Sequence, residues 1–188
     1  RRLWVVALGT MAFTMEDVLL EPYGGEILQL SVAATTTLTA TLSAGSLLGF
    51  SWASYVLSRG VDPFRMANSG VLVGIPAFLA VILAAPLEST WVFGLGTFLI
   101  GLGAGLFSHG TLTATMNHAP PDQTGLALGA WGAVQATAAG VAMAMGGVLR
   151  DVLAQGWGAL SGYSGVYLLE IGLLVLAWIA MLPLLYSP

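Results

Sequence analysis

Cysteine is absent from this chain of 188 residues, and the five basic residues are all arginine. Without cysteine there is no disulfide, thiolate nucleophile or Cys-ligated metal, although the redox compartment stays open. Charge of either sign is scarce. Charged residues make up 7% of the sequence, against roughly a quarter in soluble domains, while 57% is apolar and the mean hydropathy is +0.88. That balance excludes a soluble globule and defines an integral membrane protein. Five arginines against a net charge of -4 give no phosphate-binding surface, so no nucleic-acid partner is expected. No Ser/His/Asp constellation, phosphate-cradling glycine loop or zinc-ligand spacing emerges, and an enzyme is not expected. Nothing at the N-terminus reads as a cleavable signal peptide, because Arg1-Arg2 leads into a helix with no small-residue cleavage pattern.

What the chain does have is long apolar runs. A span needs about 20 mostly apolar residues, and six are expected, at 3–20, 32–57, 66–85, 91–116, 124–149 and 165–185. Glu21-Pro22 should stop the first, since proline disfavours helix at the residue before it. The second opens with Thr35, Thr36, Thr37, Thr39 and Thr41, whose hydroxyls can bond back to the helix's own carbonyls. A polar loop over residues 58–68 carries Arg59, Asp62 and Arg65, Pro76 is a candidate kink, and a Gly-rich loop is expected over 155–164. The fold class is all-α with six transmembrane helices.

Orientation follows from the arginines, because short cytoplasmic loops are enriched in them. With Arg1 and Arg2 on the cytoplasmic side, six alternating spans put Arg59 and Arg65 there too, and only Arg150 lies opposite. The N-terminus of the chain is therefore expected in the cytoplasm. Packing leaves its own mark. Span five repeats Gly125, Gly129, Ala133, Ala136, Gly140, Ala144 and Gly147 at helical spacing, a stripe expected to pack closely against another helix. Gly101-Leu-Gly-Ala-Gly105 lies in mid-membrane, so its glycines should serve packing too.

The candidate site is the stretch Met15–Leu28, which holds Glu16, Asp17, Glu21 and Glu26, four of the nine carboxylates, together with Pro22-Tyr23-Gly24-Gly25. Carboxylates in hydrocarbon are costly and need a partner, water or a proton. Asp17 and Glu21 lie one helical turn apart and share a face, so a shared proton or an arginine partner is expected. Three readings stay open: a proton-coupling site, a polar anchor for a bound ligand, and a docking surface for a partner helix. Capping of the helix end in water is the bland alternative. Tyr23 suits an interfacial aromatic in a fixed turn. Glu170, near the start of span six, is a candidate to face the same cavity as Glu16 and Asp17, the alternatives being Gln135 of span five as a partner or simple exposure near the headgroups. Arg150-Asp151 reads as a solvated surface pair, and His118 as a solvated loop residue.

Six spans with a basic loop between the second and third resemble one half of a major facilitator protein, a twelve-helix fold of two six-helix halves. The inner-loop motif is matched loosely by Arg59, Asp62 and Arg65, with Pro63 where a basic residue is usual. More specific are EDVLLEPYGGEIL, LTATLSAGSLLGF, LSRGVDPFRMA, GTLTATM, LALGAWGAVQATAAG and YLLEIGLL. In that order they resemble the C-terminal half of the PucC/LhaA family, the bacteriochlorophyll delivery family of the major facilitator superfamily. The resemblance implies that residues 1–188 are spans seven to twelve, with the protein's own N-terminal half as a partner. It also implies a photosynthetic bacterium's inner (intracytoplasmic) membrane and a role in light-harvesting complex assembly. Bacteriochlorophyll would be the cofactor or cargo, and antenna polypeptides or a reaction-centre antenna complex the partners, with membrane lipid around. In that setting His109 is a candidate axial ligand for the magnesium of a chlorin, the alternative being a hydrogen bond to a neighbouring helix. No other metal site is expected. A proton-coupled small-molecule transporter, or a structural subunit of a photosynthetic complex, are the alternatives.

Overall fold

The computed structural model describes residues 2–186, which form helices and connecting turns with no strand among them. Arg1, on which part of the orientation argument rests, lies outside the described residues. The helices are α1 (Arg2–Thr14), α2 (Leu20–Glu26), α3 (Val32–Leu57), α4 (Pro63–Ala84), α5 (Thr90–His118), α6 (Thr124–Trp157) and α7 (Ala159–Leu185). A single 3-10 turn, Met15–Val18, joins α1 to α2, and the pair crosses as one interrupted span. By length and composition Arg2–Glu26, α4, α5, α6 and α7 are apolar enough to traverse a bilayer. At 26 residues α3 is long enough as well, about 39 Å at 1.5 Å per residue, but five threonines and four serines dilute its apolar face. The chain is a multi-pass, all-α membrane protein.

Short polar signals set the helix starts. Ser31 accepts from the Ala34 N–H at 3.1 Å, Asp62 from Phe64 at 3.3 Å and Ser89 from Val92 at 3.2 Å, each capping donors a helix leaves unpaired. Pro63 follows Asp62 at the first position of α4, where its missing N–H costs nothing. The helix therefore starts three residues ahead of the expected Met66.

Glycine governs the packing of α5, which lies between α3 and α4. A methyl group at Gly101 would collide with the Leu42 carbonyl, one at Gly45 with that of Phe98, and one at Gly105 would sit 2.6 Å from the Ser46 oxygen. On the opposite face Gly103 meets Gly70, and Gly110 meets Ala67. Small residues here let backbones touch, as expected of Gly101–Gly105. The other buried centre is aromatic. Tyr23 is fully buried, with Phe93, Tyr163 and Tyr167 at 5.3–5.4 Å between ring centroids, and its hydroxyl donates to the Val81 carbonyl at 3.0 Å.

Several expectations need correction. Glu21-Pro22 does not stop the first span. Pro22 occupies the third position of α2, within the first turn whose N–H groups have no helical partner, and the interruption falls earlier, at Met15–Val18. Tyr23 is not interfacial but central. The Gly-rich loop over 155–164 contracts to Gly158, whose φ of +91° suits glycine alone, so α6 runs on to Trp157 and α7 begins at Ala159. Arg150 and Asp151 sit inside α6 because they satisfy each other, at 2.6 Å. Finally, the small-residue stripe of α6 does not pack within this bundle. Gly125, Gly129, Gly140 and Gly147 have no atom of another element within 4 Å of where a Cβ would stand, and Ala133 is exposed. The buried face of α6 is instead Ala138, Ala142 and Gly146, the last against Met15.

Candidate functional site

The interruption between α1 and α2 determines which acid points inward. Where the helix tightens into the 3-10 turn the register changes: Glu16 turns into the bundle and is fully buried, while its neighbour Asp17 is exposed on the open side. From α7, Glu170 enters the same interior and is also fully buried. It lies eleven residues past Ala159, about 17 Å into its helix, and Glu16 lies about 21 Å along from Arg2, so both are near mid-span. Glu170 is three turns into its helix, deeper than the single turn expected.

Glu16, Asp17 and Glu170 are close enough for their charges to interact, and Tyr167 lies within the same range. The Glu170 carboxyl is directed toward the Glu16 backbone N–H and the Glu16 carboxyl toward Asp17. Neither approach reaches ordinary hydrogen-bond geometry, and the carboxyl oxygens of Glu16 and Glu170 and the Tyr167 hydroxyl have no such partner among the described residues. Buried polar groups are normally paired, because desolvation without a replacement bond costs about 1–3 kcal/mol, and more for a charge. These three orphaned groups, buried within one turn of α7 and the facing 3-10 turn, mark the site.

A cavity of about 230 Å³ opens beside Glu16. Its wall combines Thr10, Glu16 and Asp17 with Ser46 of α3, Ser108 of α5 and Gln135 of α6. Glu21 stands one turn beyond Asp17, half-buried, and accepts a hydrogen bond from Thr39 of α3. The neighbouring threonines Thr35, Thr36, Thr37 and Thr41 bond back to α3's own carbonyls, as expected. Toward the helix ends, the Tyr163 hydroxyl donates to Glu26 at 2.8 Å and accepts from Arg150 at 3.1 Å, tying α2, α6 and α7 together. Arg150 is thus more than half of a surface pair.

The structure therefore brings Glu16, Asp17 and Gln135 onto one cavity wall and puts Glu170 within electrostatic range of Glu16 and Asp17, buried behind that wall rather than facing the cavity as the sequence suggests; the other candidates lie elsewhere. Tyr23 is sealed in the core and has no surface to offer a partner. His109 is half-buried on α5, edge-on to Phe50 of α3 at 6.0 Å, and does not line the acid cavity. Arg59 stacks on Tyr55 at 4.6 Å, Asp62 caps α4, and Arg65 is exposed. His118 closes α5, exposed, with Nδ1 2.8 Å from the Ala114 carbonyl oxygen. Tyr167 was missed from the sequence, although Tyr163, Tyr167 and Glu170 recur at i, i+4 and i+7, one polar stripe on an otherwise apolar helix.

Fold and site together define a class: a multi-pass helical membrane protein built as one six-helix bundle, with an acid-lined cavity at an interrupted span. Known proteins narrow this. The PUCC protein family matches residues 1–188. Protein PucC of Cereibacter sphaeroides is 57% identical over 188 residues, covering 97% of this chain and 41% of that protein. Protein PucC of Rhodovulum sulfidophilum is 61% identical over 153 residues, 81% of this chain and 34% of the other. An uncharacterized MFS-type transporter of Mycobacterium tuberculosis is 29% identical over 161 residues, 82% of this chain and 27% of its own. The chain belongs to the PUCC protein family, and it spans about two fifths or less of the length of these relatives.

Proposed function

We propose that this chain is the C-terminal six-helix half of a light-harvesting complex assembly factor in the photosynthetic inner membrane, with the start of α1 on the cytoplasmic side. It binds or delivers bacteriochlorophyll, antenna polypeptides or both. Family membership along the whole chain supports the reading, and the observation that carries it is the bare face of α6. A helix with a second row of small residues, Gly125, Gly129, Gly140 and Gly147, that meets nothing among the described residues is prepared for close approach by another transmembrane helix, whether an antenna polypeptide or the remainder of the protein. His109, beside the exposed Phe50, is the residue through which a chlorin's magnesium would be held.

The test is purification of the full-length protein from photosynthetic membranes in mild detergent. Bacteriochlorophyll absorbance or antenna subunits should accompany it, and Gly129→Leu with Gly140→Leu should lower the antenna yield at unchanged expression. A colourless protein that never co-purifies with antenna would sink the reading. A second reading, a proton-coupled small-molecule transporter, draws support from the cavity lined by Thr10, Asp17 and Gln135. Flux into liposomes that needs a proton gradient and vanishes in Asp17→Asn would favour it.

A further inference from the structure

We propose that Glu16 and Glu170 together form a proton-holding site in the middle of the membrane, exchanging its proton through Asp17 toward the Glu26 end of the bundle. This goes beyond the pigment and antenna reading and does not rest on it. The geometry points to a proton for three reasons. First, two carboxyl groups are fully buried, none of their oxygens has a hydrogen-bond partner of ordinary geometry among the described residues, and Glu16 lines a cavity. Two bare charges of one sign in such an interior are not tolerated together, and a proton on one relieves both the desolvation and the repulsion. Second, no cation is at hand among the described residues. Arg150 is committed to Asp151 and Tyr163, and no group of three or more His, Cys, Asp or Glu side chains that could hold a metal ion occurs among the described residues. Third, Glu16 sits where a span is interrupted near mid-membrane, which is where irregular backbone is tolerated if it lines a cavity.

The ionisable groups around the pair are few enough to name. The turn and α2 supply Asp17, Tyr23 and, through Tyr163, Glu26; α7 supplies Tyr163 and Tyr167; α6 supplies Arg150. From α3 come the Ser46 hydroxyl on the cavity wall and the Thr39 hydroxyl bonded to Glu21, and from α5 the Ser108 hydroxyl, since His109 faces Phe50. The exit follows from this inventory. Asp17 lines the cavity with Glu16 yet is exposed, and Glu21 with Thr39 lies one turn beyond.

The experiment is infrared spectroscopy of the full-length protein in liposomes at neutral pH, transferred from H2O to D2O. A protonated-carboxyl C=O band is expected that moves with the solvent isotope. It should shift or weaken in Glu16→Gln and in Glu170→Gln but stay unchanged in Glu88→Gln, an exposed turn residue. Asp17→Asn should retain the band and slow its isotope exchange by a factor on the order of 100, the lower end of what a positioned proton relay contributes. The first measurement needs no variant, so a misfolded mutant does not rescue the idea. Absence of the band in the wild-type protein overturns the proposal. So does a band indifferent to both glutamate substitutions, exchange unchanged in Asp17→Asn, or a band set by sodium at fixed pH.

Discussion

Replacing Gly101 by alanine separates glycines that let helices touch from glycines that merely occur. At Gly101 the new methyl would overlap the Leu42 carbonyl and come within 3.0 Å of the Ser46 nitrogen, both backbone atoms of α3 that cannot rotate away. The helices must separate, and the Gly45 and Gly105 contacts along the same seam separate with them. Overpacking of this kind costs about 1–3 kcal/mol, against which alanine returns up to ~1 kcal/mol of helix propensity. The net expectation is destabilisation by about 1–2 kcal/mol. Gly172 of α7 has nothing within 4 Å, so its alanine variant should be neutral or up to ~1 kcal/mol more stable. Thermal unfolding of the full-length protein in detergent, followed by tryptophan fluorescence, compares the two directly. Equal transition temperatures for Gly101→Ala and Gly172→Ala would refute the reasoning.

Other substitutions probe separate parts of the molecule. Tyr163→Phe removes the link between Arg150 and Glu26 and should cost about 1–3 kcal/mol in the same assay, as hydrogen bonds to charged groups do. Asp62→Ala uncaps α4 and should cost ~1 kcal/mol, while Asp62→Asn keeps most of it. His109→Leu should leave stability within about 0.5 kcal/mol while removing or shifting the absorbance of any co-purified bacteriochlorophyll; an unaltered pigment spectrum counts against ligation.

Much of the fold was legible because its signals are local. The long apolar runs announce the spans, and Gly101 and Gly105 announce one close seam; the caps at Ser31, Asp62 and Ser89 went unread, which is why α4 starts ahead of the expected Met66. The threonines at the start of α3 bond back to its own carbonyls as their chemistry suggests. The errors arose where tertiary context decides. Gly156 and Gly158 read as a loop, yet only Gly158 carries a positive φ, and Arg150 remains inside a helix because Asp151 and Tyr163 satisfy it. A continuous helix would pair Asp17 with Glu21. The 3-10 turn at Met15–Val18 breaks that register and sends Glu16 inward instead, which no spacing rule anticipates. The glycines of α6 show the limit most clearly, since sequence says that a small-residue face can be approached but not by what.

What approaches that face is open to direct measurement. A photo-crosslinking side chain at Gly129 of the full-length protein, activated in the photosynthetic membrane, reports its neighbour, with Leu176 of α7 as an exposed reference. Gly129 should yield polypeptide adducts, either with antenna chains or with another part of the protein, well above the yield from Leu176. Lipid adducts alone, at the same level from both positions, would contradict a helix-receiving role for α6.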